Sequence, residues 1–325
     1  MKTGQESGPV SGATDDLIVV ENVSKSYRGA KVRALNQVSL TIKEGECFGL
    51  IGPNGAGKTT LMGCMLALIR PDEGQITIGG VPPDDMAVRE IIGFLPERPN
   101  FESWVTGREF VAYHAMLSRA HQTARRERVE EVLTQVGLDH QAWDRRTQTY
   151  SRGMLQRLGL AQAIIAEPRI LFLDEPGSGM DPPGNAMLRK LFMDFKKAGI
   201  TVVLNSHHLD EMERVCDRVA FIQKGTITSI QTLEKSHEKE HVLHLKWPAE
   251  NGRDNWPEKL MALAQQTSTD LVEWSDEHAR FKVENADAAA RVIKEAVMAG
   301  IPVQSATPEF VSLAELFEDV HGASE

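Results

Sequence analysis

The sequence predicts a larger α/β domain followed by a smaller α+β one, and three observations carry that reading. From Leu17 to about Gly225, short β-branched runs alternate with helical stretches and are separated by Gly and Pro turns. Three runs, Cys47–Gly52, Ile170–Glu175 and Thr201–Ser206, stay apolar until they end in polar residues, the pattern of parallel strands buried on both faces. After the charged stretch Glu234–His241 the order becomes strand, helix, strand, strand, helix, strand, the split β-α-β-β-α-β arrangement of ferredoxin-like domains. The length of 325 residues agrees with two domains at roughly 150 residues each.

Residues 1–16 are polar, rich in Gly and Ser, and lack the apolar centre of a secretory signal, so a loose tail is expected. The first domain is expected over 17–232. Between about residues 97 and 165 the strand signal fades and helical periodicity replaces it. A helix there is expected to open at Thr106-Gly107-Arg108-Glu109, whose Thr and Glu have the spacing of a capping box. The second domain, 233–325, is read as strand His241–Trp247, helix Pro257–Gln266, strands Asp270–Trp274 and Arg280–Glu284, helix Ala286–Met298 and strand Ile301–Ala306. A last helix, capped by Ser312 with Glu315 three residues on, carries Leu313, Leu316, Phe317 and Val320 on one face.

Composition narrows the function. Acidic residues outnumber basic ones by 46 to 36, and a net charge of −10 argues against a surface built for nucleic acid. The longest apolar candidate, Leu158–Ala166, falls short of the ~18 residues a membrane-spanning helix needs. Cys47, Cys64 and Cys216 have the spacing of neither a disulfide framework nor a zinc site, which suits a reducing compartment and a cytoplasmic protein.

The chemistry begins at Gly52-Pro53-Asn54-Gly55-Ala56-Gly57-Lys58-Thr59, followed by Thr60. It fits the phosphate-loop pattern G-x-x-x-x-G-K-[ST] and lies between a predicted strand and a helical run, as the pattern requires. The glycines let backbone N–H groups curl around phosphate oxygens, Lys58 reaches the β- and γ-phosphates, and Thr59 is placed to hold Mg²⁺. A second strand ends in Asp174-Glu175, which supplies one carboxylate for the cation and one to orient or deprotonate the attacking water.

With these residues in place, the stretch from about Leu17 to Gly225 resembles an ATP-binding cassette (ABC) ATPase. The resemblance implies a P-loop NTPase fold of that type, with a mixed sheet core and a helical subdomain, and ATP and Mg²⁺ as ligands. Tyr150-Ser151-Arg152-Gly153-Met154 stands where the family has its Leu-Ser-Gly-Gly-Gln signature. That implies contacts from Ser151, Arg152, Gly153 and Met154 to the nucleotide of an opposite subunit, hence a head-to-tail dimer. Ser178-Gly179-Met180-Asp181 resembles the dimer-contact D-loop, with Asp181 as the contact residue; His207 resembles the switch histidine and is preferred to His208; Tyr27 matches the adenine-stacking aromatic.

Two departures stand out. Arg152 and Met154 replace Gly and Gln of the common signature, and Glu97, in Gly93-Phe94-Leu95-Pro96-Glu97, stands where most members carry a glutamine. Glu97 is therefore expected to serve as an outer-sphere Mg²⁺ ligand.

The ending Pro308-Glu309-Phe310-Val311-Ser312 onward is similar to the tail of single-cassette ATPase subunits of type-2 ABC exporters. This implies a homodimer, or a paired ABC subunit, docked on a separate transmembrane permease at the cytoplasmic face of the membrane, with Glu175 as general base and His207 as the catalytic histidine that contacts the γ-phosphate. Phe101 and Trp104 are candidates for the docking groove or for core packing, and the second domain for dimerisation or regulation. The alternatives are a regulatory or non-transport cassette protein with low turnover.

Overall fold

The computed structural model describes residues 15–29, 32–117, 125–206, 209–233, 241–248, 256–283 and 286–309. The expected tail up to residue 14, the pair His207 and His208, the charged stretch 234–240 and the last helix beginning at Ser312 lie outside the described residues. The chain divides into two compact units, Met1–Thr232 and Leu233–Glu325.

The first unit opens with β1 (Asp16–Lys25) and β2 (Leu35–Lys43), continues through β3 (Cys47–Ile51), α1 (Lys58–Met65), β4 (Glu73–Ile78), α2 (Met86–Glu90) and β5 (Ile92–Leu95), and then turns helical with α3 (Gly107–Leu117), α4 (Arg125–Gln135) and α5 (Arg152–Ile164). It returns to alternation with β6 (Ile170–Asp174), α6 (Pro182–Lys197), β7 (Thr201–Asn205), α7 (Leu209–Val215), β8 (Arg218–Gln223) and β9 (Thr226–Thr232).

These strands form two sheets. A three-stranded antiparallel sheet has the order β2-β1-β4. Its inward residues Ile18, Val20 and Val23 keep to one face because an irregularity between Val20 and Val23, with Asn22 at φ 50°, absorbs the odd residue. The six-stranded sheet has the order β5-β6-β7-β3-β8-β9 and is parallel except for β9. Its central strands β3, β6 and β7 are buried along their whole length, as their apolar runs require. One core joins both sheets around α1: Ile18, Leu35 and Ile42 from the first, Phe48, Phe172 and Val203 from the second, and Leu61, Met62 and Met65 from the helix. Burial of a Phe or Leu of this size contributes about 1.5–3 kcal/mol each, which is what holds α1 with its first residue at the sheet's C-terminal edge.

The helical stretch opens as the spacing predicts. The Thr106 amide donates to Glu109 Oε2 at 2.8 Å, and the Glu109 amide donates to Thr106 Oγ1 at 3.2 Å. Arg108 then ties α3 to its neighbours, donating to Glu130 on α4 and to Asp144 while its guanidinium lies 5.1 Å from the Trp143 ring centre. All three cysteines are buried and free.

The second unit contains β10 (His241–Lys246), α8 (Trp256–Thr267), β11 (Asp270–Trp274), β12 (His278–Val283), α9 (Ala286–Met298) and β13 (Ser305–Glu309). The antiparallel sheet order β11-β12-β10-β13 is the ferredoxin-like one. Leu243, Leu245 and Phe281 face Leu260, Leu263 and Val292 in its core. The last strand departs from expectation: it pairs over 305–309 rather than 301–306. Gly300 at φ 80° ends α9, Pro302 has no N–H to donate, and pairing with β10 begins only at Ser305. Trp247 is core, its indole N–H held by the Asp276 carbonyl, whereas Trp274 is partly exposed.

Candidate nucleotide-binding site

The C-terminal ends of β3, β6 and β7 converge on a cavity of about 310 Å³ lined by Tyr27, Asn54–Thr60, Glu97, Asp174, Glu175 and Asn205. Ligands of parallel sheets bind outside such strand ends. The loop from Gly52 to Gly57 leaves β3 and enters α1 at Lys58.

Close packing makes two of its glycines obligatory. A Cβ on Gly52 would lie 2.2 Å from the Ile222 carbonyl oxygen, and one on Gly57, whose φ is 111°, would lie 2.5 Å from that of Ala34. Gly52→Ala is therefore expected to lower unfolding stability by about 1–3 kcal/mol, read as a shifted urea midpoint; an unchanged midpoint would show that the loop yields.

Lys58 is 7% exposed, and its Nζ donates to the Gly52 and Pro53 carbonyls at 2.6 and 3.1 Å. Burial lowers its pKa, against the opposing pull of Glu175, Asp174 and Glu97.

Asp174, at the end of β6, is 3% exposed. Burial raises its pKa, the amide of Asn205 donates to its Oδ1 and counteracts this, and the neighbouring Glu175 and Glu97 push it further up. Thr59 Oγ1 stands 3.5 Å from its other oxygen. Asn205 Oδ1 is buried without a hydrogen-bond partner among the described residues, and a buried orphan of this kind calls for water or another polar ligand. Among the described residues no three His, Cys, Asp or Glu form a metal cluster. One hydroxyl and one carboxylate are hard oxygen donors that fit Mg²⁺, which keeps phosphate and water oxygens for its remaining positions.

Glu175 follows directly, with φ 50°. A left-handed non-glycine residue costs on the order of 1–3 kcal/mol unless its surroundings fix it. Here its amide donates to the Asn205 carbonyl at 2.8 Å and its carbonyl accepts from Gln156 Nε2 at 3.2 Å. Glu97 reaches the same cavity after β5 and is half exposed, 3.7 Å from Arg98. Tyr27 lies at the rim, its hydroxyl 3.3 Å from Thr60 Oγ1.

The signature segment is elsewhere. Ser151 caps α5, its Oγ accepting from the Met154 amide at 3.3 Å, and none of Ser151, Arg152, Gly153 and Met154 lines the cavity. Asp181 caps α6, accepting from the Gly184 amide at 3.1 Å. His207 is outside the described residues. Asn205 was not singled out by sequence; its signal was its place as the last polar residue of the apolar run Thr201–Asn205, opposite Asp174 in the register.

Comparison with known proteins agrees with this geometry. The family described as ABC transporter matches residues 35–178. An uncharacterised ABC transporter ATP-binding protein of Nostoc sp. is 38% identical over 239 residues, 72% of this chain and 71% of that one. YxlF of Bacillus subtilis, an uncharacterised protein of the same description, is 32% identical over 94% of this chain and 98% of its own. The doxorubicin resistance ATP-binding protein DrrA of Mycobacterium tuberculosis is 37% identical over 66% of this chain and 65% of its own. Among solved structures, the dimeric cassette MJ0796 in a post-hydrolysis state with ADP and phosphate is similar with a TM-score of 0.63 and 26% identity, covering 67% of this chain and 99% of that one. A phosphate loop, a carboxylate pair at the neighbouring strand end and these likenesses lead to one conclusion: the chain belongs to the ABC transporter family, as an ATP-binding, ATP-hydrolysing subunit.

Proposed function

We propose that two copies of this chain bind two ATP molecules head to tail and drive a separate transmembrane permease, as an exporter subunit held peripherally at the cytoplasmic face of the membrane. The observation that carries this reading is the split between half-sites: Lys58, Thr59, Asp174 and Glu175 share one cavity, while the capped start of α5 lies outside it. A helix start leaves amides without intrahelical acceptors, which suits it to the γ-phosphate of a partner's nucleotide. DrrA, a named resistance protein, supports the exporter class.

Within the site, backbone amides of Gly55–Thr60 hold the phosphates, Lys58 neutralises them and Tyr27 stacks on the base. Thr59 and Asp174 would hold Mg²⁺, with Glu97 beyond them, and the cation would supply charge neutralisation to the phosphates. Glu175 accepts the proton of the attacking water, and a γ-phosphate contact from His207 is what the family resemblance implies. If Glu97 serves the cation through water, Glu97→Gln raises the Mg²⁺ concentration for half-maximal ATPase severalfold; superimposable curves would remove it from the metal site.

The permease contact is read on the helical part. Trp104, Tyr113, Met116 and Leu117 are 58–67% exposed around α3, whereas Phe101 packs edge-on against Phe110. Among the described residues no helix is long and apolar enough to cross a membrane. Purification of the full chain from its own membranes should recover a polytopic membrane protein, and Trp104→Asp should release it. Recovery of nucleic acid or ribosomes instead would contradict the transport role.

A further inference from the structure

The residues that begin α5 are committed within their own chain in two directions. Tyr150 is buried; its hydroxyl donates to the Ala142 carbonyl at 2.7 Å. Its ring seats over the first residue of α3, where a Cβ on Gly107 would lie 2.2 Å from the phenol oxygen. On the other side Arg152 Nη2 donates to Ser178 Oγ at 2.6 Å, and its stem lies so close to Gly179 that a Cβ there would meet Arg152 Cδ at 2.6 Å. Further along, Gln156 Nε2 donates to the Glu175 carbonyl and Arg157 Nη2 faces Asp181 Oδ1 at 3.6 Å.

Positions 152 and 156 are one turn apart on one face of α5, so that face is hydrogen-bonded at two points to the segment 175–181, and Arg157 beside it adds an ion pair. The three are unequal. The Arg157–Asp181 pair is long and its carboxylate largely exposed, which makes it weak. The Arg152–Ser178 bond, although its guanidinium is exposed, is short and charge-assisted, and the Arg152 stem packs against Gly179.

We infer that Arg152 is a positioning residue: its side chain fixes Ser178 and Gly179 to α5 of the same chain and so joins the helical part to the strand end that carries Glu175. Its guanidinium does not serve as a phosphate ligand; only its backbone amide belongs to the helix start offered to the partner's nucleotide. The inference rests on the head-to-tail reading above. With Tyr150 gripping α3 and Arg152 gripping the segment after Glu175, a displacement of α3 reaches the general base through packed side chains rather than through the nucleotide.

The test is steady-state ATPase kinetics on the full chain for Arg152→Ala, Ser178→Ala, the double variant and Arg152→Lys. Misplacement of a reacting group by a fraction of an ångström to an ångström costs up to about 10²-fold. Each alanine variant is therefore expected to lower kcat by about 10-fold with KM for ATP unchanged, and the double variant to be no slower than the slower single one. Arg152→Lys is expected to recover most of the rate, since one ammonium donor satisfies a single hydroxyl acceptor.

A raised KM in Arg152→Ala, additive with Ser178→Ala, would make Arg152 a phosphate ligand and overturn the inference. So would unchanged kcat accompanied only by a lower melting temperature. In a Glu175→Gln background Arg152→Ala should still dimerise with ATP. If Glu175→Gln with Arg152 intact stays monomeric, it is the head-to-tail reading that fails.

Discussion

Glu175→Gln is expected to slow ATP hydrolysis by about 10²–10⁴-fold while leaving ATP binding intact, and to accumulate an ATP-bound dimer. That is the usual contribution of a positioned general base. The structure makes this residue the one to lose. Its backbone is held at φ 50° by bonds to Asn205 and Gln156, so the side chain springs from a fixed point at the end of β6. Glutamine keeps the shape and the backbone contacts but cannot take a proton. Nucleotide affinity and turnover, measured on one preparation, separate the two roles; a variant that hydrolyses at the original rate would place the base elsewhere.

Lys58→Ala is expected to abolish useful ATP binding. Removing one partner of a buried, hydrogen-bonded charge pair costs about 2–5 kcal/mol, or roughly 30-fold to several-thousand-fold in Kd. Lys58 lies among three carboxylates that act on its charge, Asp174, Glu175 and Glu97. Without its ammonium less positive charge lies between them and the triphosphate, so repulsion adds to the lost bonds. The fold should persist, because α1 is held by Leu61, Met62 and Met65 rather than by Lys58. Equilibrium titration with ATP checks the affinity, and far-UV circular dichroism checks the helix. An affinity within threefold of the original would contradict the assignment.

Much of this was legible in the residues because the features are local. The phosphate loop declares itself by spacing, and β3, β6 and β7 by unbroken apolar runs, since a strand buried on both faces has no alternation to hide behind. The capping box at Thr106 and Glu109 involves only neighbours in sequence. Contacts made across the chain were not legible. Nothing near Asn205 announces that its amide will hold Asp174, 31 residues away, because that pairing is created by the register of β6 against β7. Arg152 looked like an added charge beside a nucleotide, and only the fold turns its side chain toward Ser178. The final strand shifted because pairing with β10, rather than the hydrophobicity of Ile301 and Val303, decides which residues extend.

The central claim is that each nucleotide is held by the Lys58 loop of one copy and the Ser151 turn of the other. In a Glu175→Gln background, chains carrying Lys58→Ala and chains carrying Ser151→Arg each lack half of every site when paired with themselves. A mixed pair has one site with both halves intact. Retention of labelled ATP by an equal mixture is predicted to recover to about a quarter of the unmutated sites, because half of randomly paired dimers are mixed and each carries one complete site. Retention no greater than that of either variant alone would mean that the two halves do not meet across a dimer.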